Sequence, residues 1–357
     1  VNADSSLLNT PAPVEDSYFQ FEPGVVAQAS VGQGAFTGEY APAFRAGADF
    51  SATQDASHVL SGTLDFPFGA DSQLTLSDRY VASTLDTREV DPGGEYFFDL
   101  APFQRNLFSA NARLAVGPRL FVELGGALSH ANFDRPGGFF GYDRRLVSAG
   151  LGYELTPSLR ATVSYVYDEV PTPEERPEAE ASASSALLAL QGDLLPLLTG
   201  RLALGYRDQE SPNAAPSGQN FRGFTMSGSL TREFGRESTL SILLDRSTPV
   251  SNFEANGFYV TTSVTAALAA PVLAELSLET GVGFAWNDYK VDALELGVPR
   301  EDRLFSLYAG LRRNLGRQWW VSAYYRRERR QSNLDSFEVT SDGFLAQVSW
   351  GLFGPRR

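Results

Sequence analysis

The sequence predicts an all-β protein, a closed antiparallel transmembrane β-barrel of about eighteen strands. Apolar and polar residues alternate along segments of about ten to twelve residues, long enough for a tilted strand to cross a bilayer. Tight turns and long polar connections follow one another in strict alternation, as they do in outer-membrane barrels. Aromatic residues gather near the predicted strand ends, where a bilayer meets water. Together these observations indicate a sheet with one face towards lipid and one towards water.

The segment 155–168 shows the repeating unit most clearly. Its tight turn at 156–158 leads into a strand whose side chains point alternately to opposite faces. One face carries Val163 and Tyr165, and the other carries Arg160. A long polar stretch follows the strand, and the turn, strand and polar stretch recur along the rest of the chain.

Short turns divide the chain at intervals of roughly 35 to 50 residues. They are found at 32–34, 68–71, 117–118, 156–157, 195–197, 235–237, 270–271 and 316–317. Longer polar connections lie between them, for example at 84–104, 169–182 and 287–303. We therefore expect short periplasmic turns at one rim of the barrel and long extracellular loops at the other.

Aromatic residues near the strand ends predict a girdle at the two membrane interfaces, where a ring can be dry and its polar atom wet. The predicted girdle residues are Tyr18, Phe19, Tyr96, Phe97, Phe98, Phe139, Phe140, Trp286, Tyr289, Trp319, Trp320 and Trp350. Packing inside a soluble core would explain single aromatic residues but not aromatics at both ends of many strands.

The expected number of strands follows from the even count that a single-chain barrel needs. Residues 18–353 contain about seventeen strand-like segments, so residues 1–8 are expected to form the end of a first strand. Sixteen strands is the alternative, if a weak segment such as 57–66 does not pair. The chain then divides into the end of the first strand with an outer loop at 1–16, the barrel at 17–353 and a periplasmic tail at 354–357.

Composition excludes several other classes of protein. The chain has no cysteine, which removes disulfides and thiolate metal sites, and its net charge of −14 argues against a nucleic-acid partner. No window approaches eighteen consecutive apolar residues, which excludes a transmembrane helix but not transmembrane strands. A soluble sandwich or a β-propeller would explain the alternation, but neither explains long strands joined by two classes of connection.

Candidates for catalysis are few. His58 and His130 are the two histidines of the chain, and neither has a neighbouring motif that supplies the nucleophile of a hydrolase. Both are expected at the membrane rim. We expect no enzyme activity, and therefore no catalytic residue, metal site or cofactor.

The charges expected on the watery face are the candidates for a functional site, because a charge facing lipid at mid-depth costs about 2–4 kcal/mol. The predicted lumen residues are Arg45, Arg79, Arg113, Glu123, Arg160, Arg201, Glu275, Glu279, Arg312, Tyr324 and Arg326. Arginine binds carboxylates and phosphates through a planar fork, so this surface suits an anionic or hydroxyl-rich chain in transit. The alternative is a lumen that is polar only for solvation, with pairs such as Arg113 and Glu123 neutralising each other.

The predicted outer surface carries both acidic and basic clusters. The loops around 86–99 and 169–180 are acidic without the spacing of a dedicated calcium site, which favours solvated loops. The Arg-Arg-Glu-Arg-Arg cluster at 326–330 falls at the outer end of its strand, where we expect either contact with lipopolysaccharide or a solvated rim. Outer-membrane lipid and lipopolysaccharide are the expected partners, and nucleic acid is not.

Four segments carry a family resemblance. They are Asp-Ser-Ser-Leu-Leu at 4–8, Asp-Ser-Tyr-Phe-Gln-Phe-Glu-Pro-Gly-Val at 16–25, Leu-Thr-Leu-Ser-Asp-Arg-Tyr at 74–80 and Leu-Gly-Tyr-Glu-Leu-Thr-Pro-Ser-Leu at 151–159. In these segments the chain resembles the outer-membrane β-barrel porins encoded with exopolysaccharide and biofilm-polysaccharide assembly systems. The resemblance implies polysaccharide export, with a polysaccharide chain and a periplasmic export apparatus as partners. One departure is the C-terminus, where four residues follow Phe353 although bacterial barrels often end on an aromatic residue.

Without the resemblance, the predicted barrel supports a pore for hydrophilic solutes and nothing finer. A structural or adhesive surface barrel, with a plugged lumen and functional outer loops, is the alternative. A barrel enzyme that cleaves lipid or peptide is a third and weaker hypothesis.

Overall fold

The computed structural model describes residues 2–4, 16–47, 55–69, 71–84, 102–133, 141–171, 180–213, 219–235, 237–251, 257–289, 298–316 and 318–350. The predictions for the acidic loop 86–99, for the centre of the second acidic loop at 172–179 and for the tail 354–357 lie outside these residues.

The described residues form one antiparallel sheet. Its strands are β1 (Asn2–Asp4), β2 (Asp16–Phe21), β3 (Val25–Val31), β4 (Gly34–Gly47), β5 (Asp55–Phe68), β6 (Ser72–Thr84), β7 (Pro102–Ala115), β8 (Leu120–Phe133), β9 (Tyr142–Thr156), β10 (Leu159–Val170), β11 (Ala181–Leu195), β12 (Leu198–Ser211), β13 (Gln219–Phe234), β14 (Ser238–Ser247), β15 (Tyr259–Leu273), β16 (Leu276–Tyr289), β17 (Glu301–Asn314), β18 (Trp319–Ser332) and β19 (Val339–Trp350). A single 3-10 turn, Asp335–Phe337, is the helical element of the described part.

These segments fill eighteen positions in the sheet, because β2 and β3 both pair with β4 and share one position. The interruption between them contains Pro23, which has no N–H to donate to the ladder. β1 pairs with β19 on one side and with β2 on the other. The predicted number of about eighteen antiparallel strands is confirmed. The sixteen-strand alternative is wrong, since the segment 57–66 lies in β5 and pairs with both β4 and β6.

Tight reversals lie along one edge of the sheet, which we name the turn end. The connections 32–33, 157–158, 196–197 and 274–275 are among them. Gly32 has a φ of 62°, which glycine adopts without strain, and Leu197 reaches 63°. The opposite edge, where most connections fall outside the described residues, is named the loop end.

Alternation divides the side chains between two faces, which we name the polar face and the apolar face. Along β10, Arg160 lies on the polar face, while Val163 and Tyr165 lie on the apolar face and are 62% and 55% exposed. The register preserves this division between strands, since Val163 stands opposite Leu151 on one side and Leu188 on the other. Large exposed hydrophobic side chains on one face are typical of strands that meet lipid.

The register places some of the predicted girdle residues on the apolar face and others on the polar face. Five of the predicted residues, Tyr96, Phe97, Phe98, Phe139 and Phe140, lie outside the described residues. Trp286, Trp319 and Trp350 lie on the apolar face near strand ends, and each is about half exposed. The register places Tyr289 and Trp320 on the polar face instead. Neighbours in a strand point to opposite faces, so only one of the two adjacent tryptophans can face lipid.

Candidate pore-lining surface

The register places most of the predicted lumen residues on the polar face. These residues are Arg79, Arg113, Glu123, Arg160, Arg201, Glu279, Arg312, Tyr324 and Arg326. Glu275 lies instead in the tight turn that precedes β16, where it is exposed. Arg45 belongs to β4, but its side chain lies outside the described part of the structure.

Five charged residues from neighbouring strands form a group close to the turn end, which we name the basic arc. They are Arg113, Glu123, Glu154, Arg160 and Arg201, and Arg160 interacts electrostatically with the other four. Three positive charges therefore face two negative charges. The sheet brings these residues together because each of them lies only a few residues from a tight turn between strands β7 to β12.

Arg113 shows how the arc is built. Its guanidinium forms an ion pair with Glu154 and lies 4.3 Å from the centroid of the Phe121 ring, an arrangement that adds a cation–π contact. The predicted Arg113–Glu123 pair is opposed in register, yet the ion pair forms with Glu154. Because Phe121 lies beside Arg113, the guanidinium extends over its ring to the next strand, and Glu123 contributes to the field at Arg160.

A second group lies near the turn end of β16, β17 and β18, and we name it the aromatic group. Its members are Glu279, Arg312, Trp320 and Tyr324. The Tyr324 hydroxyl donates a hydrogen bond of 2.6 Å to Glu279 Oε2, and Arg312 Nη1 lies 3.8 Å from Glu279 Oε1. The Arg312 guanidinium carbon also lies 5.2 Å from the centroid of the Trp320 ring. One carboxylate thus holds a tyrosine and an arginine beside an aromatic ring.

Glycines allow the tyrosine rings of this region to lie against the sheet. A Cβ placed on Gly310 would come within 2.1 Å of the Tyr324 ring, and one on Gly281 within 2.3 Å of the Tyr308 ring. Each ring therefore covers the backbone of the neighbouring strand. Both tyrosine side chains are half-buried on the polar face.

The loop-end half of the polar face is more tightly packed. Asp168 of β10 accepts hydrogen bonds from Arg144 of β9, with Nε at 3.0 Å, and from Arg207 of β12, with Nη1 at 2.7 Å. The Asp168 side chain is only 5% exposed, and that of Arg207 is 12% exposed. The hydrogen bonds from these two arginines to one carboxylate are charge-assisted, and such bonds are stronger than those between neutral groups.

The connection between β18 and β19 folds over this half of the polar face. The centroid of the Phe337 ring, in the 3-10 turn, lies 3.9 Å from the Arg300 guanidinium carbon. The Phe337 carbonyl oxygen accepts a hydrogen bond of 2.6 Å from Arg330 Nε. Arg300 also forms an ion pair with Asp302, whose side chain is fully buried. Tyr289 and Arg330 are each 1% exposed. Side chains in the loop-end half of the polar face are therefore largely buried, while those of the basic arc and the aromatic group are half-buried or exposed.

Sequence reasoning missed Glu154, Asp168, Arg144 and Arg300 as members of this surface. The first three have the same alternation as Arg160 across β9 and β10, so the strand period could have identified them. Arg300 precedes its strand, and no periodic signal places it against Phe337.

The two histidines form local hydrogen bonds. His58 Nδ1 lies 2.9 Å from the Tyr40 hydroxyl, and His130 Nδ1 lies 2.8 Å from Asp143 Oδ1. Among the described residues, no three His, Asp or Glu side chains are grouped so that they could hold a metal ion. In the same part of the chain, no helix combines the length and the apolar character that crossing a membrane requires.

Solved structures of bacterial membrane proteins share this fold. A BenF-like porin from Pseudomonas fluorescens Pf-5 is 10% identical with a TM-score of 0.50, and the match covers 98% of this chain and 96% of that chain. OpdL from Pseudomonas aeruginosa is 14% identical with a TM-score of 0.48 and the same two coverages, 98% and 96%. At such low identity the likeness concerns the fold alone.

Larger transporters also match. The FrpB iron transporter from Neisseria meningitidis is 9% identical with a TM-score of 0.46, and the match covers 91% of this chain but 63% of that chain. The match to the alcaligin outer-membrane receptor FauA from Bordetella pertussis, 11% identical with a TM-score of 0.42, covers 93% of this chain but 61% of that chain. None of the curated proteins matches the chain.

A family model covers most of the sheet and both groups of the candidate surface. It matches residues 119–350, which include β8 to β19. Of the two groups, only Arg113 lies outside this range. The chain belongs to the family described as "Putative beta-barrel porin 2", and it is an integral protein of the bacterial outer membrane.

Proposed function

We propose that this protein is an outer-membrane pore for hydrophilic solutes, with its sheet closed into a barrel and its polar face inside. The pairing of β1 with both β19 and β2 supports closure, which leaves no sheet edge unpaired in the bilayer. One observation carries the proposal: charged side chains from many strands share one face, while large exposed hydrophobic side chains share the other. Porin-family membership supports a transport role.

The proposed orientation puts the turn end in the periplasm and the loop end outside. Outer-membrane barrels have short periplasmic turns and longer extracellular loops. The two-residue connections 32–33, 157–158, 196–197 and 274–275 support this assignment. In this orientation the basic arc and the aromatic group lie near the periplasmic mouth.

The proposed substrate is an anionic polysaccharide chain that enters from a periplasmic export apparatus. The arginines of the basic arc offer planar donors for carboxylates. The rings of Tyr308, Tyr324 and Trp320 offer flat surfaces of the kind that pack against sugar rings. Passage of smaller hydrophilic solutes needs only the polar lumen and is the more general form of the same proposal.

Single-channel recording tests this proposal by comparing two variants that each lose one of the adjacent tryptophans Trp319 and Trp320. The protein is reconstituted in planar bilayers, and a uronic-acid oligosaccharide is added on the turn-end side. Trp320→Ala removes the ring beside Arg312 on the polar face, so each blockade event is expected to become several-fold shorter. Trp319→Ala removes a ring from the apolar face and is the matched control, with blockade unchanged.

Two results would contradict the substrate assignment. One is equal blockade of both variants by the charged oligosaccharide. The other is equally long blockade by a neutral dextran of the same length, because the arginines would then add nothing. Loss of surface polysaccharide on deletion of the gene would further separate export from general diffusion.

A structural or adhesive barrel is the second candidate function, because the loop-end half of the polar face is filled. Arg330 and Tyr289 are 1% exposed there, and Phe337 lies over Arg300. This candidate predicts folded protein in bilayers without discrete current steps. Steady steps of open current would favour the pore instead.

A further inference from the structure

One carboxylate lies at the middle of the apolar face, at a level where the other strands carry no charge. Asp78 is the seventh of the thirteen residues of β6, and its side chain points to the face opposite that of Arg79. In the strands β4 to β19, the central residue on the apolar face is aliphatic, aromatic, methionine or glycine everywhere except in β6. Asp78 is also exposed.

The position of Asp78 along its strand places it within the apolar band. Trp286, Trp319 and Trp350 lie on the same face near strand ends, where tryptophan meets the membrane interface. A strand centre therefore lies between the two interfaces. An ionisable side chain that meets lipid at this depth is costly, which makes Asp78 a candidate for a functional contact.

The neighbours of Asp78 in the sheet leave its carboxylate open to the surrounding membrane. Gly62 of β5 and Phe108 of β7 are directly opposite Asp78, and Gly62 has no side chain to cover it. Leu76 and Tyr80 lie two residues away along β6 and share its face. The carboxylate therefore projects from an otherwise apolar patch.

A single amide binds this carboxylate. Asn106 Nδ2, from β7, donates a hydrogen bond of 3.1 Å to Asp78 Oδ1. Within the described part of the chain, Asp78 forms no ion pair. The pair of Asp78 and Asn106 is named the mid-wall pair.

Basic side chains of the same face are distant from Asp78 or already paired. Arg145 lies on the same row of the register but three strands away, which is about 14 Å at the usual strand spacing. Arg145 also lies 3.6 Å from Glu169. The two histidines of the chain form hydrogen bonds with Tyr40 and Asp143, as described above. The described residues therefore give Asp78 one hydrogen bond and no counter-charge.

The mid-wall pair is complementary to a second copy of itself. The Asn106 amide has two N–H groups, and the hydrogen bond to its own Asp78 uses one of them. In a two-fold contact between two copies, the same patch meets itself. Each Asn106 can then donate its second N–H to the carboxyl group of the other copy. A proton shared between the two carboxyl groups removes the repulsion between them.

We propose that two copies of this chain pair in the plane of the membrane through β6 and β7, with the mid-wall pair at the centre of the contact. Polar side chains hold membrane-spanning segments together, because lipid offers them no hydrogen-bond partner. Exposed apolar side chains around the pair, such as Leu60 and Phe108, would pack against the other copy. The proposal depends on the membrane location and the two faces of the sheet, and it does not depend on conduction.

Cross-linking between single cysteines tests the contact in outer membranes, because the chain has no cysteine of its own. Phe108→Cys places a thiol opposite Asp78, and a short reagent with two thiol-reactive ends is expected to join two copies into a covalent dimer. Leu204→Cys is the matched control, since Leu204 lies at the centre of β12 on the apolar face and both residues are 39% exposed. It is expected to give only the dimer that random collisions produce.

The mid-wall pair is then altered in the Phe108→Cys protein. Asp78→Leu and, separately, Asn106→Leu are each expected to lower the yield of covalent dimer about tenfold. Asp78→Asn keeps a hydrogen-bonding group and is expected to give an intermediate yield. Asp208→Leu is the control, because it removes another carboxylate of the apolar face, one that pairs with Arg222. Its yield is expected to stay unchanged.

Two further measurements separate loss of contact from loss of folding. Asp78→Leu replaces a charge that faces lipid with an apolar side chain, so the barrel is expected to assemble at least as well, which its heat-dependent mobility on a gel measures. Native mass spectrometry of the chain without added cysteine, extracted in mild detergent, is expected to show a dimer that Asp78→Leu converts to a monomer.

Four outcomes would overturn the proposal. Phe108→Cys and Leu204→Cys could cross-link equally, which would indicate collisions alone. Asp78→Leu could keep the full yield of dimer. Asp208→Leu could lower the yield as far as Asp78→Leu, which would indicate a general effect of charge. The thiol at position 108 could capture a different membrane protein in place of a second copy. Channel currents play no part in these readouts, so failure of this proposal is separable from failure of the proposed pore.

Discussion

At the scale of single residues, the most informative contacts join a large ring to a glycine. Tyr324 covers Gly310, and Phe121 covers Gly152, where a Cβ would lie 2.1 Å from the ring in each case. Glycine weakens a strand because it loses backbone entropy and packs no side chain. The ring across the strand compensates by covering the exposed backbone.

Gly310→Ala is expected to destabilise the folded barrel by about 1–3 kcal/mol, because the new methyl group overpacks against Tyr324. The displaced ring would also lose its hydrogen bond to Glu279. Urea unfolding in lipid vesicles measures the change. Gly62→Ala is the control, since its nearest neighbour atom would be 3.5 Å away, an ordinary contact. Equal stability of the two variants would contradict this account of the ring.

Alternation in the sequence predicted the face of Arg160, Arg201 and Arg312 but not their partners. The face depends only on the strand period, which is local. The choice of Glu154 over Glu123 by Arg113 depends on the Phe121 ring between them and on the register of three strands. Such a choice has no local signal in the chain.

At the scale of strands, Asp168 links its own strand to two others. Its carboxylate on β10 binds Arg144 on β9 and Arg207 on β12, and so spans β11. Ladder hydrogen bonds hold adjacent strands only, whereas this contact reaches the second neighbour. It therefore links strands that are not adjacent in the loop-end half of the polar face, where side chains are largely buried.

Asp168→Ala is expected to lower the free energy of unfolding by about 3 kcal/mol, since it leaves two arginines without their shared carboxylate and Arg144 is partly exposed. The same unfolding assay measures it. Asp143→Ala is the control, because that carboxylate is 61% exposed and pairs only with His130 among the described residues. A change within about 0.5 kcal/mol is expected there. If Asp168→Ala behaved like the control, the contact across strands would contribute nothing to the free energy of unfolding.

The elements themselves could be predicted well where alternation is strong. The strand predicted from Leu159 to Asp168 agrees with β10, which ends two residues later, at Val170. The break between β2 and β3 was not predicted, because residues 18–31 keep an apolar pattern through the interruption at Pro23. Composition could not decide which of Trp319 and Trp320 lies on the apolar face, since tryptophan suits a girdle at either position.

At the scale of the whole molecule, the polar face determines what the proposed pore would select. Arg160→Glu, Arg201→Glu and Arg312→Glu together change the charge of this face by six. The permeability ratio of cations to anions is expected to rise several-fold, because ions are concentrated by fixed charge in a narrow polar path. Reversal potentials in a salt gradient measure the ratio.

A matched control reverses charges on the other face at the same end of the sheet. Arg232→Glu and Arg313→Glu are expected to leave the reversal potential unchanged, because both positions belong to the apolar face. If the control moved the ratio as far as the triple variant, the assignment of the two faces would be wrong.

The all-β class and the two-faced sheet could be predicted from sequence, but the burial of side chains in the loop-end half of the polar face could not. That burial depends on contacts between connections far apart in the chain, such as Arg300 against Phe337. Arg300 lies before β17 and Phe337 after β18, and neither position has a periodic neighbour to indicate its direction.

The uneven burial along the polar face has a consequence for how the proposed pore would be tuned. Most of the electrical resistance would fall across the crowded half that contains Arg330 and Tyr289, whereas discrimination by charge would arise at the roomier half with Arg160 and Arg201. Conductance and charge selectivity would then be adjustable separately, although many channels set both in one constriction. Changes to the connection after β18 would scale the current without altering which ions carry it.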